Sequence, residues 1–165
     1  MVILGIDPGY DLLGYGVISS ESSETRAIDY GVVETTPNET FPRRLELLYT
    51  GTKQLIEMFR PDCIAFEELF FYRNTTTALQ VSAGRGVALL AAQQSGLPMY
   101  EYTPMQIKLS VTGNGHADKK QVQEMVRLLL RLKSVPKPDD AADALGVAIC
   151  HSNIMGAAKQ EFRIK

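Results

Sequence analysis

The sequence contains few of the residues that would place it in a disulfide-stabilised or membrane class. It has only two cysteines, Cys63 and Cys150, and each lies in an apolar stretch. We therefore expect reduced core thiols in the cytosol and no disulfide framework. No apolar run approaches the roughly 18 residues of a membrane helix, and Asp7 interrupts the apolar N-terminus before a signal-peptide pattern develops. These absences predict a cytoplasmic protein with no membrane partner.

The sequence also lacks internal repeats, low-complexity tracts and linker-like stretches. Its 165 residues, of which 45% are hydrophobic and 22% charged, suffice for one domain with a sizeable core. This composition excludes a disordered or fibrous chain. We expect residues 1–165 to form a single domain.

Net charge is small, but its distribution is uneven. The formal net charge is -2, which by itself argues mildly against a nucleic-acid partner. Residues 1–68 carry 5 basic and 12 acidic side chains, whereas residues 69–137 carry 9 basic and 3 acidic ones. Because salt screens charges over a Debye length of about 8 Å, a basic region acts mainly on its own surroundings. Charge alone leaves open both a solvated helix surface and a nucleic-acid-binding face.

Hydrophobic periodicity predicts an α/β fold. Three short strands with brief connections open the chain, and an amphipathic helix with a 3.6-residue period follows from Phe41 to Phe59. Helical crossovers join parallel strands, so we expect a five-stranded mixed sheet with strands 1–3 antiparallel and strands 4 and 5 parallel to strand 1. The predicted strands span residues 2–6, 14–19, 25–35, 62–67 and 98–102. The predicted helices span residues 41–59, 76–95, 104–111, 118–133 and 139 onwards.

Four carboxylates occupy positions that such a sheet would bring together. Asp7 and Glu67 end strands 1 and 4, and sites form outside the carboxyl ends of parallel strands. Asp140 and Asp143 are three residues apart, so they share one face of the last helix. Apolar residues such as Leu145 lie on the opposite side of that helix, where we expect them to anchor it in the core.

Clustered carboxylates repel each other, and a counter-ion relieves that repulsion. Hard oxygen ligands suit Mg²⁺ or Mn²⁺, and nothing in this set suits Zn²⁺. Two such ions about 3.5–4 Å apart activate water and stabilise the leaving oxygen in phosphodiester cleavage. Simpler roles remain open for single residues. Asp7 could hydrogen-bond its own backbone in a turn, and Asp139 and Asp140 could cap the last helix.

Four segments carry a more specific pattern. Residues 5–9 read Gly-Ile-Asp-Pro-Gly, and residues 14–18 read Gly-Tyr-Gly-Val-Ile. Residues 64–67 read Ile-Ala-Phe-Glu, and residues 140–145 read Asp-Ala-Ala-Asp-Ala-Leu. In order and spacing these segments closely resemble the RuvC-type crossover junction endodeoxyribonucleases, and the likeness runs from about residue 2 to residue 155.

The resemblance implies a ribonuclease H-like fold and a homodimer that resolves Holliday junctions by paired symmetric nicks, in recombination and DNA repair. It implies that cleavage requires Mg²⁺, with two ions per subunit and Mn²⁺ as a substitute, and leaves 5′-phosphate and 3′-hydroxyl ends. Asp7, Glu67, Asp140 and Asp143 would be both the catalytic residues and the metal ligands. The resemblance further suggests cooperation with the RuvA and RuvB branch-migration proteins.

The same resemblance gives the basic region a role. Lys108, Lys119 and Lys120 lie in segments similar to DNA-contacting positions, where cations hold phosphates without reading bases. Phe70 matches an aromatic residue that stacks on an unpaired base, an interaction worth about 1–3 kcal/mol. The resemblance also places the helix that contains Arg85 at the dimer interface.

Three other functions share parts of this pattern. A ribonuclease H would use the same metal chemistry on RNA–DNA hybrids. An actin-like ATPase has a phosphate loop similar to residues 4–9, but it needs two related domains around its nucleotide. A non-catalytic binding module could keep the fold without the chemistry, although here all four carboxylates are present.

Overall fold

A mixed sheet forms the centre of the computed structural model, which describes residues 1–21, 24–69, 75–154 and 160–164. The strands are β1 (Val2–Asp7), β2 (Leu12–Glu21), β3 (Glu24–Glu34), β4 (Cys63–Glu67) and β5 (Met99–Tyr102). Their spatial order is β3-β2-β1-β4-β5. The first three strands pair antiparallel, and β4 runs parallel to both β1 and β5. The predicted five-stranded mixed sheet is therefore confirmed.

Helices cover both faces of the sheet. In the described ranges they are α1 (Phe41–Phe59), α2 (Thr75–Gln94), α3 (Pro104–Thr112), α4 (Lys119–Leu129) and α5 (Asp139–Asn153). α1 and α2 share one hydrophobic core with the sheet, and α3, α4 and α5 share a second core on the opposite face. Among these helices none is long and apolar enough to cross a membrane.

α4 is shorter than the predicted span of 118–133. Its last helical residue is Leu129, and Arg131 has a left-handed φ of 53° that stops the helix. Leu130 is nevertheless buried, so the apolar spacing continues past the end of the helix. Because residues 130–133 contain neither glycine nor proline, periodicity alone could not reveal this end.

A buried arginine holds the loop that follows β1. Arg44 of α1 is only 7% exposed, its Nε donates to Thr35 Oγ1 at 2.8 Å, and its guanidinium lies 3.7 Å from the centre of the Tyr10 ring. The same group pairs with Asp11 and donates to the Tyr10 carbonyl. A buried guanidinium is stable only with such partners, so these contacts fix the loop against α1 directly after Asp7.

α5 lies very close to the sheet because glycines occupy the strand positions beneath it. A Cβ atom at Gly14 would lie 2.7 Å from the carbonyl carbon of Asp140. A Cβ atom at Gly16 would lie 2.7 Å from the backbone nitrogen of Leu145. Both distances are well inside van der Waals contact, so a side chain at either position would push the helix away.

α5 is also more deeply buried than expected. Every residue from 144 to 151 is buried, and Val147 is as fully enclosed as Leu145 although it shares the acidic side of the helix. The expected division into one apolar and one acidic side is therefore too simple. α5 contacts β1, β2, β3 and β4 on one side and α3 and α4 on the other, so solvent reaches it mainly at its two ends.

We expect Gly16→Ala to destabilise the protein by about 1–3 kcal/mol, because the added methyl group overlaps the backbone of α5 at Leu145. Gly146→Ala is the matched control. A Cβ at Gly146 meets its nearest atom, of Ile107, at 3.5 Å, so this change should alter stability by no more than about 1 kcal/mol. Urea denaturation measures both free energies of unfolding. If the two variants were equally stable, the close approach of α5 to β2 would be contradicted.

Candidate active site

Asp7 and Glu67 lie at the same edge and on the same face of the sheet. Ile3 pairs with Cys63 in parallel register, and each acid follows four residues later on its strand. Ile3 and Cys63 belong to the core beneath α5. Because strand side chains alternate between faces, Asp7 and Glu67 also point towards α5.

The other two predicted acids lie at the beginning of α5, above this edge. The backbone of Asp140 packs on Gly14, which pairs with Asp7 across β1 and β2. The N-cap of α5 is Pro138 and makes no side-chain cap, so the alternative that Asp139 and Asp140 cap the helix is wrong. Both residues lie within the first turn, where negative charge interacts favourably with the helix dipole.

A cavity of about 210 Å³ opens beside these acids. Its lining combines two carboxylates, two lysines and an apolar wall: Glu67, Asp143, Lys108, Lys119, Pro104, Ile107 and Val122. Lys108 comes from α3 and Lys119 from the first residue of α4. The cavity therefore joins predicted metal ligands to predicted phosphate contacts.

Burial and mutual repulsion alter the acidity of the carboxylates. Burial raises the pKa of Asp7 well above its ordinary value, and the charges of Glu67, Asp143 and Asp140 raise it further. Burial and the charge of Asp143 raise the pKa of Glu67 to about 7, against a lowering by Lys119 and Lys108. Burial also raises the pKa of Asp143, while its bond with Lys119 lowers it. These shifts show that the four carboxylates form one electrostatic cluster.

The chemistry of this cluster fits a divalent cation. Its donors are carboxylate oxygens, and their crowding disfavours the charged state unless a positive charge lies close by. Lys119 supplies one such charge, with its Nζ 3.0 Å from Asp143 Oδ2. With the side chains in the positions described, no three Asp, Glu, His or Cys residues of the described ranges lie close enough together to hold a metal ion.

Local sequence signals position both lysines. Thr103 caps α3 and exchanges bonds with Gln106, which fixes the first turn ahead of Lys108. Asp118 and Gln121 form the same reciprocal cap around Lys119. Each pair is a capping box, a spacing of three residues that is visible in the sequence and that the interpretation above did not use.

One predicted DNA contact lies apart from this cavity. Lys120 lines a separate groove of about 590 Å³, which lies between α4 and the loop that follows α3. Phe70 lies outside the described residues. His116 is exposed in the loop before α4, where its backbone NH donates to Asn114 Oδ1.

His151 belongs to the core and lies away from the cavity lining. It is 1% exposed, with Nδ1 2.7 Å from the Tyr102 hydroxyl and Nε2 3.2 Å from Cys63 Sγ.

Cys63 and Cys150 are both buried, and neither forms a disulfide within the described part of the chain. The expected core thiols are confirmed.

Comparison with known sequences identifies close relatives. A family model described as crossover junction endodeoxyribonuclease RuvC matches residues 3–151. A crossover junction endodeoxyribonuclease RuvC from Brevibacillus brevis is 53% identical over 152 residues, which cover 92% of each chain. The corresponding protein of Alkaliphilus metalliredigens is 50% identical over 165 residues and is matched along its whole length.

Solved structures agree with these sequence matches. A structure described as Thermus thermophilus RuvC in complex with Holliday junction substrate has a TM-score of 0.91 and 38% identity, and 99% of both chains is covered. The yeast mitochondrial Holliday junction resolvase shares the fold, with a TM-score of 0.65 at 17% identity, over 92% of this chain and 78% of the other.

The raised pKa of Glu67 predicts a pH-dependent stability for the protein without metal. Folded Glu67 takes up a proton below about pH 7, whereas unfolded Glu67 does so only near 4.5. The folded state therefore binds more protons in this interval, and Glu67 alone should lower the free energy of unfolding by about 3 kcal/mol as pH rises from 4.5 to 7.5.

Glu67→Gln should make this profile less steep, the remaining slope coming from the raised pKa values of Asp7 and Asp143. Glu57→Gln, at an exposed site on α1, should leave the profile unchanged. Urea denaturation in EDTA at several pH values measures the effect. A wild-type profile that Glu67→Gln leaves unchanged would be incompatible with a raised pKa at this residue.

Proposed function

The chain belongs to the RuvC family of crossover junction endodeoxyribonucleases, and on this premise we propose that it resolves Holliday junctions by paired, symmetric hydrolysis of phosphodiester bonds. One observation carries the proposal. Carboxylates that suit divalent cations and lysines that suit phosphates line the same cavity of about 210 Å³. A scissile phosphate that enters this cavity meets both kinds of group.

In this proposal Asp7, Glu67, Asp140 and Asp143 are the catalytic residues and hold two Mg²⁺ ions per subunit, with Mn²⁺ as a substitute. The chemistry that bound divalent cations supply at such sites is activation of water and stabilisation of the leaving oxygen. The protein's own part is to hold the carboxylates on the rigid ends of β1, β4 and α5. The products carry 5′-phosphate and 3′-hydroxyl ends.

The basic residues orient the DNA. Lys108 and Lys119 lie in the cavity lining with Glu67 and Asp143, so phosphates bound by their ammonium groups come directly against the acids. Lys120 would hold the backbone on the neighbouring groove. Phe70 would stack on an unpaired base at the crossover, a role supported only by its sequence match.

Family membership and the site together disfavour the other functions. The matched relatives are junction endonucleases over almost the whole chain, whereas a ribonuclease H or an actin-like ATPase shares only fragments of the pattern. A non-catalytic module does not require four electrostatically coupled carboxylates, whose repulsion destabilises the fold.

Asp7→Asn should abolish cleavage and leave junction binding largely intact. Loss of one central carboxylate removes several kcal/mol of transition-state stabilisation, which corresponds to a rate loss greater than about a hundredfold. Binding rests on the lysines and should change little. Cleavage is assayed on a synthetic mobile four-way junction with and without Mg²⁺, and the cut positions are mapped on both strands. A gel shift measures the affinity for the junction. Cleavage at the wild-type rate would refute the assignment of Asp7.

We also propose that the protein is a homodimer that pairs through α2. One side of this helix packs on α1, with Ala88 and Ala92 buried. The other side exposes Leu79 and Leu90, which are 73% and 49% exposed, and between them Gly86 has open space around its Cβ position. An apolar strip of this kind beside small residues suits close helix-to-helix contact.

Arg85 acts within the subunit in this arrangement. It is partly buried and pairs with Glu101 of β5, so it ties α2 to the sheet. The exposed strip on the neighbouring turns remains available for a second copy.

Leu90→Glu should shift the protein from dimer to monomer, because it places a charge in the proposed apolar contact. Leu109→Glu is the control, since Leu109 is 55% exposed on α3, on the other face of the sheet. Sedimentation velocity measures the oligomeric state of both variants. A Leu90→Glu protein that remains as dimeric as Leu109→Glu would exclude α2 as the interface.

Cooperation with the RuvA and RuvB proteins in the cytoplasm completes the proposal. It is supported by the family alone. A pull-down with the two branch-migration proteins on junction DNA tests it.

A further inference from the structure

Lys119 bridges two carboxylates of α5. Its Nζ lies 3.0 Å from Asp143 Oδ2 and 3.6 Å from Asp139 Oδ2. The second oxygen of Asp139 accepts from Lys137 Nζ at 2.7 Å, so this acid is held between two lysines. Asp143 lines the cavity, whereas Asp139 does not line it and is 41% exposed in its side chain.

The position of Lys119 is built into the fold. The reciprocal cap of Asp118 and Gln121 fixes the first turn of α4, in which Lys119 is the first residue. From this fixed backbone the ammonium group reaches the acidic cluster, where it contacts Asp143 directly. A cation that binds Asp143 Oδ2 therefore competes with an ammonium group that is already in place.

We propose that Lys119 is the resident counter-ion of the acidic site before metal binds, and that Asp139 retains its ammonium group when a divalent cation takes Asp143. This inference rests on the proposed metal site. It assigns a function at the site to Asp139, an acid beside the four proposed ligands.

The geometry makes the exchange easy. Because the Nζ already lies between the two carboxylates, the ammonium group needs to shift by only a fraction of the side chain's reach to pass from Asp143 to Asp139. The acidic cluster is thus not left without a positive charge before metal arrives. After the exchange Lys119 stays near the cavity, where it can contact a phosphate that enters.

The test measures Mn²⁺ affinity in the protein without DNA, from the electron paramagnetic resonance signal of free Mn²⁺. Lys119→Met removes the competing ammonium group. Because a partly exposed ion pair is worth up to about 1 kcal/mol, Mn²⁺ should bind about fivefold more tightly. Lys120→Met is the matched control. It removes the same charge one residue later, from a side chain that lines the separate groove, and should change the affinity less than twofold.

Asp139→Asn tests the second half of the proposal. In the wild-type background this change leaves Lys119 with Asp143 alone, so Mn²⁺ should bind about threefold more weakly. In the Lys119→Met background the same change should have a smaller effect, because no ammonium group then needs a second carboxylate. The double-mutant cycle isolates this coupling from the simple loss of a negative charge.

The outcomes separate this inference from the proposed function. If Mn²⁺ binds wild type and Asp7→Asn equally, the proposed metal site is wrong. If Asp7→Asn loses Mn²⁺ but Lys119→Met binds it no more tightly than Lys120→Met, the counter-ion role is wrong. An equal effect of Asp139→Asn in both backgrounds would exclude its retaining role. Should Lys119→Met fail to fold, Lys119→Gln replaces it with the same expectations.

Discussion

The short distance between α5 and the sheet is the constraint on which the site depends. α5 carries two of the four proposed ligands, and it can lie against β2 only because Gly14 and Gly16 have no side chains there. Gly14 also pairs with Asp7, so the same contact that admits the helix sets Asp140 beside the first acid. A larger residue at this point would cost packing energy and would also separate the carboxylates.

The second organising feature is the balance of charge around these acids. Asp7, Glu67, Asp140 and Asp143 are four of the 19 acidic residues, and burial disfavours the charged forms of Asp7, Glu67 and Asp143. Lysines from the basic part of the chain, Lys108 and Lys119, line the same cavity. The formal net charge of -2 therefore conceals a cavity in which acids and lysines lie together, and the total says little about nucleic-acid binding.

The parts of this structure that could be predicted follow from local pattern and from the geometry of parallel strands. Asp7 and Glu67 end strands that were expected to be parallel, and the carboxyl ends of parallel strands share one edge of the sheet. The end of α4 could not be predicted, because a left-handed Arg131 stops it without a glycine or proline. The contact of Lys119 with Asp139 and Asp143 depends on how α4 and α5 pack, which no local spacing encodes.

The central claim is that the strand ends and the first turns of α5 form one metal-ion site. Anomalous diffraction from crystals of the wild-type protein soaked in MnCl₂ tests it most directly. The account predicts manganese in direct contact with carboxylate oxygens of Asp7 and Glu67, with at least one of Asp140 and Asp143 completing the site. Manganese bound elsewhere, with no anomalous peak beside Asp7 or Glu67, would contradict it.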